Sequence, residues 1–246
     1  MLGSDKPLKQ PPAHGQPEQS DIRIGKLRSA LAGLLFVPVG FAPLFLSAWT
    51  LNFWEAWLFI ANFSICSIGH GLYIVKNSPG LLERRMRIGP SAEKRPAQKI
   101  IVSCIFAIIV LLQVVAGFDR RFGWSDVPPL IVIAAEAVIV LSFVIFNIVG
   151  KENAFASATI EVTAGQKVIS TGPYALVRHP MYSGALLLTL AIPIAWGSWW
   201  ALIVMPLMVP ILIWRITDEE NFLKAHLEGY ARYCDKVRYR LIPGLY

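Results

Sequence analysis

A run of 31 residues, from 184 to 214, contains no charged side chain. As one α-helix it would extend about 46 Å, whereas the hydrocarbon core of a bilayer is about 30 Å thick. Pro193, Gly197 and Ser198 lie near its middle, among three tryptophans. Because proline and glycine together mark a turn and tryptophan favours the membrane interface, the run predicts a tight helical hairpin with two legs of about 15 residues each.

The whole chain is too apolar for a water-soluble globule. Hydrophobic residues make up 55% of the 246 residues and charged residues 16%, against about 45–50% and about 25% in soluble domains. This composition excludes an ordinary soluble enzyme, a disordered chain and a disulfide scaffold. The three cysteines share no short spacing, so neither a disulfide framework nor a zinc site is predicted, and no metal is expected.

Four further apolar blocks precede the hairpin, each long enough to cross a bilayer as a helix of roughly 20 residues. They extend over roughly residues 29–51, 54–75, 100–117 and 129–150. Residues 1–28 are polar and rich in proline and glutamine, which predicts a disordered cytoplasmic tail before a membrane domain at residues 29–246. The expected fold is an all-α, polytopic integral membrane protein with four transmembrane helices and a C-terminal helical hairpin.

The basic residues predict how this fold is oriented. The N-terminal tail holds five Lys and Arg residues, residues 76–99 hold seven, residues 151–178 hold three, and residues from 215 onward hold six. Four spans and a hairpin place these 21 of 23 basic residues on one side. The positive-inside rule puts that side, with both termini, in the cytoplasm. Topology and anionic lipid contact therefore explain the net charge of +7, and no nucleic-acid partner is expected.

Two stretches on the cytoplasmic side carry residues suited to chemistry. The first, residues 165–184, reads GQKVISTGPYALVRHPMYSG, and its glycines and prolines fix a backbone path that is not helical. Backbone N–H groups, Arg178 and His179 could hold a carboxylate, while the tyrosine rings could stack on a flat base. The alternative is a re-entry turn whose arginine and tyrosines only anchor the helix at the lipid headgroups.

The second stretch begins at the end of the hairpin. Arg215 and Glu219 are four residues apart and share a face if the helix continues. Together with the neighbouring Asp218 and Glu220 they could line a pocket opposite the first stretch, although acidic residues near a membrane surface usually stay in water. The apolar residues 242–246 are expected to pack onto the domain and to close that pocket.

At these two stretches the sequence resembles the isoprenylcysteine carboxyl methyltransferases and their bacterial and archaeal relatives, which in turn resemble membrane phospholipid methyltransferases. The shared pattern is GPY, RHPMY and G, a hydrophobic hairpin, R and EE, then GY, Y and VRYRLIPG, in this order over residues 165–246. The N-terminal helices match only in being hydrophobic. The resemblance implies an S-adenosylmethionine-dependent methyltransferase whose cofactor enters a pocket from the cytoplasm and whose amphipathic substrate enters from the bilayer.

The resemblance also implies roles for individual residues. The positions that match cofactor contacts of the family are Gln166, Lys167, Val168, Ile169, Tyr174, His179, Pro180, Met181 and Tyr182, with Glu219 or Glu220 after the hairpin. Arg215 matches an arginine that lies toward the substrate. A carboxylate nucleophile oriented by Arg215 needs no general base. An amine or phenol nucleophile would need one, for which His179 or Glu220 is a candidate.

The expected reaction is methyl transfer to a lipid-like or prenylated substrate, with carboxyl O-methylation as the first choice. The alternatives are phospholipid N-methylation with the same cofactor, a sterol-type reduction with NADPH, and a non-catalytic assembly or binding role. The expected location is the inner membrane of a bacterium, with the lipid bilayer and an amphipathic substrate as partners.

Polar residues inside the apolar blocks are expected to be structural. Glu136 lies in the first third of the fourth block, where an unpaired charge would cost about 2.5–3.5 kcal/mol. We expect it to be protonated or hydrogen-bonded, on the side of the membrane away from the pocket. Asn62, His70 and Gln113 are expected to form hydrogen bonds between helices rather than to bind a ligand.

Overall fold

The computed structural model describes residues 39–77, 89–93, 95–153, 155, 159–160, 162 and 165–246. The chain divides into two compact units, Met1–Phe41 and Ala42–Tyr246, and only residues 39–41 of the first are described. The predicted tail and residues 29–38 of the first predicted span, residues 29–51, therefore lie outside the described residues. The second unit begins with a short helix, α1, at Ala42–Ala48.

Long helices form most of the second unit, and none of the residues that the structure describes forms a strand. After α1 the elements are α2 (Trp54–Asn77), α3 (Pro96–Phe122), α4 (Pro129–Glu152), a 3₁₀ turn (Gly172–Ala175), α5 (Pro180–Ala195), a 3₁₀ segment (Trp200–Leu207), α6 (Met208–His226) and α7 (Tyr230–Lys236). The second 3₁₀ segment runs directly into α6. Four of the described elements are long and apolar enough to cross a membrane: α2, α3, α4 and the continuous helix Trp200–His226.

The predicted all-helical membrane fold is confirmed. Its four membrane-length helices are the second, third and fourth predicted spans together with the second leg of the hairpin. The first leg, α5, has 16 residues, close to the length expected. The second leg has 27 residues and is longer than expected, because the helix continues past residue 214 into charged residues that find partners in the protein.

The hairpin turn lies where the sequence predicts it. Gly197 has a φ of 69°, a left-handed conformation that favours glycine. The Ser198 hydroxyl donates a hydrogen bond to Asp119, and the backbone N–H of Trp199 donates to Ser125 Oγ at 3.0 Å. These bonds join the turn to the loop between α3 and α4. The turn therefore lies at the end of the bundle opposite most of the basic residues.

Close contact between α1 and α3 depends on Gly117. A Cβ atom added there would lie 2.5 Å from the carbonyl oxygen of Leu44 and 2.9 Å from the backbone nitrogen of Ala48. Backbone atoms cannot move aside as a flexible side chain can, so we expect Gly117→Ala to lower the free energy of unfolding by about 1–3 kcal/mol. The loss is measured as a lower thermal midpoint in detergent.

Gly69→Ala is the matched control for this prediction. Gly69 also lies within a membrane helix, but nothing lies within 4 Å of the position that its Cβ would take. Alanine there is expected to be neutral or slightly stabilising, because alanine favours the helix over glycine. If both variants lost the same free energy of unfolding, the close packing at Gly117 would not be the cause of the loss.

Candidate active site

A cavity of about 620 Å³ lies at the end of the bundle that contains most of the basic residues. Its volume is within the range of about 300–1,000 Å³ that small-molecule sites usually have. One part of its wall is apolar and comes from the membrane helices; it includes Phe63 of α2, Phe143 and Phe146 of α4, and Leu188 of α5. The other part is polar and comes from residues 166–182, α6 and α7. The cavity therefore connects a charged wall with the membrane-embedded helices.

The fold brings nearly all of the predicted site residues to this cavity. Those that line it are Gln166, Lys167, Val168, Ile169, Tyr174, His179, Pro180, Met181, Tyr182, Arg215 and Glu219. Glu220 is the exception, since it is not among the lining residues. Residues far apart in the chain thus share one wall, while their contact with a cofactor stays a prediction.

Backbone hydrogen bonds hold the segment around His179 against the C-terminal part of the chain. The N–H groups of Arg178 and His179 donate to the carbonyl oxygens of Tyr239 and Arg240, each at 2.9 Å. These bonds hold residues 239–240 against the domain, but the predicted packing of residues 242–246 is wrong, because residues 242–245 are exposed. The expectation that residues 242–246 close the pocket is wrong, because they do not line the cavity and instead form a turn behind the paired segment.

Arg215 is the centre of a buried network at the cavity. Its side chain is 8% exposed, and Nη1 donates to Glu93 Oε1 at 3.0 Å and to the side-chain oxygen of Gln98. Its Nε donates to the Tyr182 hydroxyl at 3.0 Å, and that hydroxyl donates to Glu219 Oε2 at 2.6 Å. The two residues predicted to share a helix face are thus linked through Tyr182, and Glu93 balances the charge of the arginine.

Sequence reasoning missed Glu93 and Gln98. Glu93 precedes α3, Gln98 lies in its first turn, and both are almost completely buried. Gln98 also donates to Asp218, which accepts a hydrogen bond from Arg95 at 2.7 Å. The available signal was a set of polar residues at the start of an otherwise apolar helix, but their partners are more than a hundred residues away in the chain.

Glu219 and Glu220 have different surroundings, although they are adjacent in the chain. Glu219 lines the cavity and its side chain is 22% exposed. Glu220 is 2% exposed, and its carboxylate lies 2.7 Å from Arg178 Nε, 3.2 Å from His179 Nε2 and 3.2 Å from Arg240 Nη2. Consecutive residues of an α-helix point about 100° apart, so only one of the two can face the cavity. The structure therefore places Glu219 at the cavity and makes Glu220 an internal counter-ion, while a contact of Glu219 with a cofactor stays a prediction.

The tyrosines of α7 position the wall opposite α6. Tyr230 and Tyr233 are each 5% exposed and belong to an apolar cluster against which Val168 packs. The Tyr233 hydroxyl donates to the carbonyl oxygen of Tyr174 at 2.7 Å. Burial raises the pKa of both buried hydroxyls well above its ordinary value, so they stay protonated at neutral pH. Helix α7 thus fixes two of the predicted cofactor contacts, Val168 and Tyr174.

Polar residues of the membrane helices pair mostly as expected. Asn62 donates to the carboxylate and the carbonyl oxygen of Glu136, which does not line the cavity. His70 Nδ1 lies 2.6 Å from Asn147 Oδ1, which confirms a hydrogen bond between helices, but His70 also lines the cavity. Gln113 is buried, and its Oε1 accepts no hydrogen bond from the residues the structure describes. Its predicted interhelical bond through that atom is absent among them.

Residues 130–229 match the family model of the phospholipid methyltransferases. Over 91 residues the chain is 30% identical to a Delta(14)-sterol reductase of Mus musculus, a stretch that covers 36% of this chain and 22% of the mouse protein. The chain therefore spans only a small part of that relative. The region matched by the family model contains α4, the hairpin and the charged part of α6, which supply much of the cavity wall, while α2 and α7 supply the rest from outside the match. The family match supports a membrane lipid methyltransferase.

Proposed function

We propose that this protein is an S-adenosylmethionine-dependent methyltransferase that modifies a lipid-like substrate in the membrane. The observation that carries the proposal is a single cavity that combines a charged wall with an apolar wall from the membrane helices. Glu219 and Lys167 belong to the first wall, and Phe143 and Leu188 to the second. An amphipathic substrate can place its polar head at the charged wall while its chain stays among the membrane helices.

The charged wall fits S-adenosylmethionine by its chemistry. When bound, this cofactor supplies a methyl group on a positively charged sulfur. The Glu219 carboxylate would attract that charge and accept hydrogen bonds from ribose hydroxyls, and the Lys167 ammonium would attract the carboxylate of the methionine part. Tyr174 and Tyr182 offer aromatic rings for the flat base. In-line methyl transfer requires positioning rather than acid–base chemistry, which suits a preformed cavity.

The nucleophile that we place first is a carboxylate, as in the isoprenylcysteine carboxyl methyltransferases that the sequence resembles. Arg215 lines the cavity and would orient such a group by hydrogen bonds, as part of its network with Tyr182 and Glu93. An amine nucleophile is the alternative, and the match to phospholipid methyltransferases favours it. His179 would then be the base, because it lies at the cavity and is held by Glu220.

Reduction with NADPH is a second candidate function, favoured by the similarity to a sterol reductase. A polyanionic cofactor would need cationic groups that are not already paired. Arg178 forms an ion pair with Glu220, and Arg215 forms one with Glu93. This pairing makes the charged wall better suited to the cationic cofactor than to NADPH.

Titration of the purified protein in detergent with S-adenosylmethionine and, in a parallel sample, with NADPH tests the proposal. We expect saturable binding of S-adenosylmethionine and little response to NADPH, because the two cavity arginines are already neutralised. The heat of binding, or the rise in the thermal midpoint of the protein on addition of the ligand, measures the binding of each of the two cofactors. Tight binding of NADPH without a response to S-adenosylmethionine would overturn the proposed function.

The nucleophile is identified in the same preparation. The protein is incubated with methyl-labelled S-adenosylmethionine and a membrane lipid extract, and the labelled lipids are treated with dilute base. Label released as volatile methanol indicates a methyl ester, whereas label that stays in a non-volatile product indicates N-methylation.

A further inference from the structure

The hydroxyl group of Tyr230 is buried at the cavity without a hydrogen-bond partner among the residues the structure describes. Tyr230 is 5% exposed and lines the cavity. Its neighbour Tyr233 is buried to the same extent, but the Tyr233 hydroxyl donates to the carbonyl oxygen of Tyr174. The two tyrosines thus differ in one respect, since only the Tyr230 hydroxyl has no such partner.

An unsatisfied buried hydroxyl is costly, because it gives up its hydrogen bonds to water and gains none in the protein. A phenylalanine would fill the same space in the apolar cluster without that cost. The hydroxyl is therefore best explained by a partner that arrives with a ligand, and a hydroxyl group can both donate and accept a hydrogen bond.

The position of Tyr230 along the cavity indicates which ligand this is. Arg215, Glu219 and Leu223 follow one another at intervals of four on α6, Leu227 comes directly after the end of the helix, and all four line the cavity. They form one face of the helix, which runs out of the membrane from the hairpin. Tyr230 packs in one cluster with Leu227 and therefore lies at the end of this face that is far from the membrane.

A lipid-like substrate would approach from the other end, where the membrane helices supply the apolar wall. Val168, one of the predicted cofactor contacts, packs against the cluster that contains Tyr230. Burial is the main cause of the raised pKa of Tyr230, and the negative charge of Glu219 adds to it. Tyr230 thus shares the cavity wall with two predicted cofactor contacts, Val168 and Glu219.

We infer that Tyr230 is a further cofactor-binding residue, whose hydroxyl forms a hydrogen bond with the nucleoside end of S-adenosylmethionine, away from the reacting methyl group. The inference rests on the proposed function. It adds a contact at the outer end of the cavity, opposite Arg215. It gives the Tyr230 hydroxyl a role in binding and the Tyr233 hydroxyl a role in stability.

Tyr230→Phe and Tyr233→Phe test this inference as a matched pair in the full-length protein. For Tyr230→Phe we expect about tenfold weaker binding of S-adenosylmethionine, from the loss of one buried hydrogen bond to the ligand. S-adenosylhomocysteine, which lacks only the methyl group, should lose affinity by the same factor. The turnover rate at saturating cofactor should stay close to that of the wild type, because the contact is remote from the methyl group.

Thermal unfolding without ligand separates a binding role from a structural one. Tyr230→Phe should leave the midpoint unchanged or raise it, whereas Tyr233→Phe should lower it by about 2–4 °C through the loss of its bond to Tyr174. A Tyr230→Phe midpoint as low as that of Tyr233→Phe would overturn the inference, and so would unchanged affinity for both cofactor forms. If the wild-type protein itself fails to bind S-adenosylmethionine, the proposed function is wrong, and the inference fails with it.

Discussion

Replacing Glu220 by glutamine is expected to lower the free energy of unfolding by about 3–5 kcal/mol, because it removes one partner of a buried ion cluster. The Glu220 carboxylate contacts Arg178, His179 and Arg240, and the Arg178 side chain is only 9% exposed. Without the carboxylate the Arg178 guanidinium stays buried with its charge uncompensated. Arg178 also donates to the carbonyl oxygens of Val237 and Arg238, so the C-terminal segment should loosen as well.

Glu219→Gln is the matched control for this substitution. The Glu219 side chain is 22% exposed, and it accepts a hydrogen bond from Tyr182 that glutamine can also accept. We expect its free energy of unfolding to change by less than about 1 kcal/mol, while its affinity for S-adenosylmethionine falls. Thermal or denaturant unfolding in detergent, together with a binding titration, measures both variants. Similar stability losses in the two variants would contradict the distinction between an internal counter-ion and a cavity residue.

The sequence predicts the parts of the fold that depend on local patterns. The charge-free run with Pro193 and Gly197 at its centre predicts the hairpin, because a membrane limits helix length and these residues permit a turn. The clustering of basic residues predicts which ends of the helices lie together. The motif residues around His179 and the spacing of Arg215 and Glu219 predict the residues that line the charged wall.

The remaining features depend on contacts between distant segments. Glu93 pairs with Arg215 across more than a hundred residues, and no local pattern indicates that pairing. The choice between Glu219 and Glu220 depends on the rotation of α6, and the partners that Arg215 and Glu220 find in distant segments are not part of the motif. The difference between Tyr230 and Tyr233 is likewise invisible in the sequence, because it consists of a single hydrogen bond to Tyr174.

The two glutamate–arginine pairs near the charged wall are expected to have different roles. Glu220, which does not line the cavity, pairs with Arg178 and joins α6 to the C-terminal segment. Glu93 with Arg215 holds a guanidinium at the cavity, where its Nε reaches the Tyr182 hydroxyl. The first pair is expected to determine stability, and the second is expected to determine how the reacting groups are positioned.

Arg215→Lys is therefore expected to lower kcat by about 100-fold, the loss that a misplaced reacting group typically causes. Lysine keeps the positive charge beside Glu93, so the buried carboxylate stays compensated and the protein should fold. Its single ammonium cannot hold Glu93 and Tyr182 in the fixed geometry of a guanidinium, so the substrate's polar head and Tyr182 are no longer held together. Affinity for S-adenosylmethionine should change by less than about threefold, because the loss falls on the bound substrate rather than on the cofactor.

Arg240→Lys is the matched control, because Arg240 also pairs with a glutamate but does not line the cavity. Its kcat should stay within a factor of about two to three of the wild-type value, since lysine keeps the positive charge beside Glu220 and the Arg240 side chain is 30% exposed. Steady-state kinetics measures kcat of the two variants, and a separate titration measures their affinity for S-adenosylmethionine. If Arg215→Lys weakens cofactor binding as much as it lowers kcat, Arg215 contacts the cofactor, and the substrate's polar head must be held by another part of the charged wall.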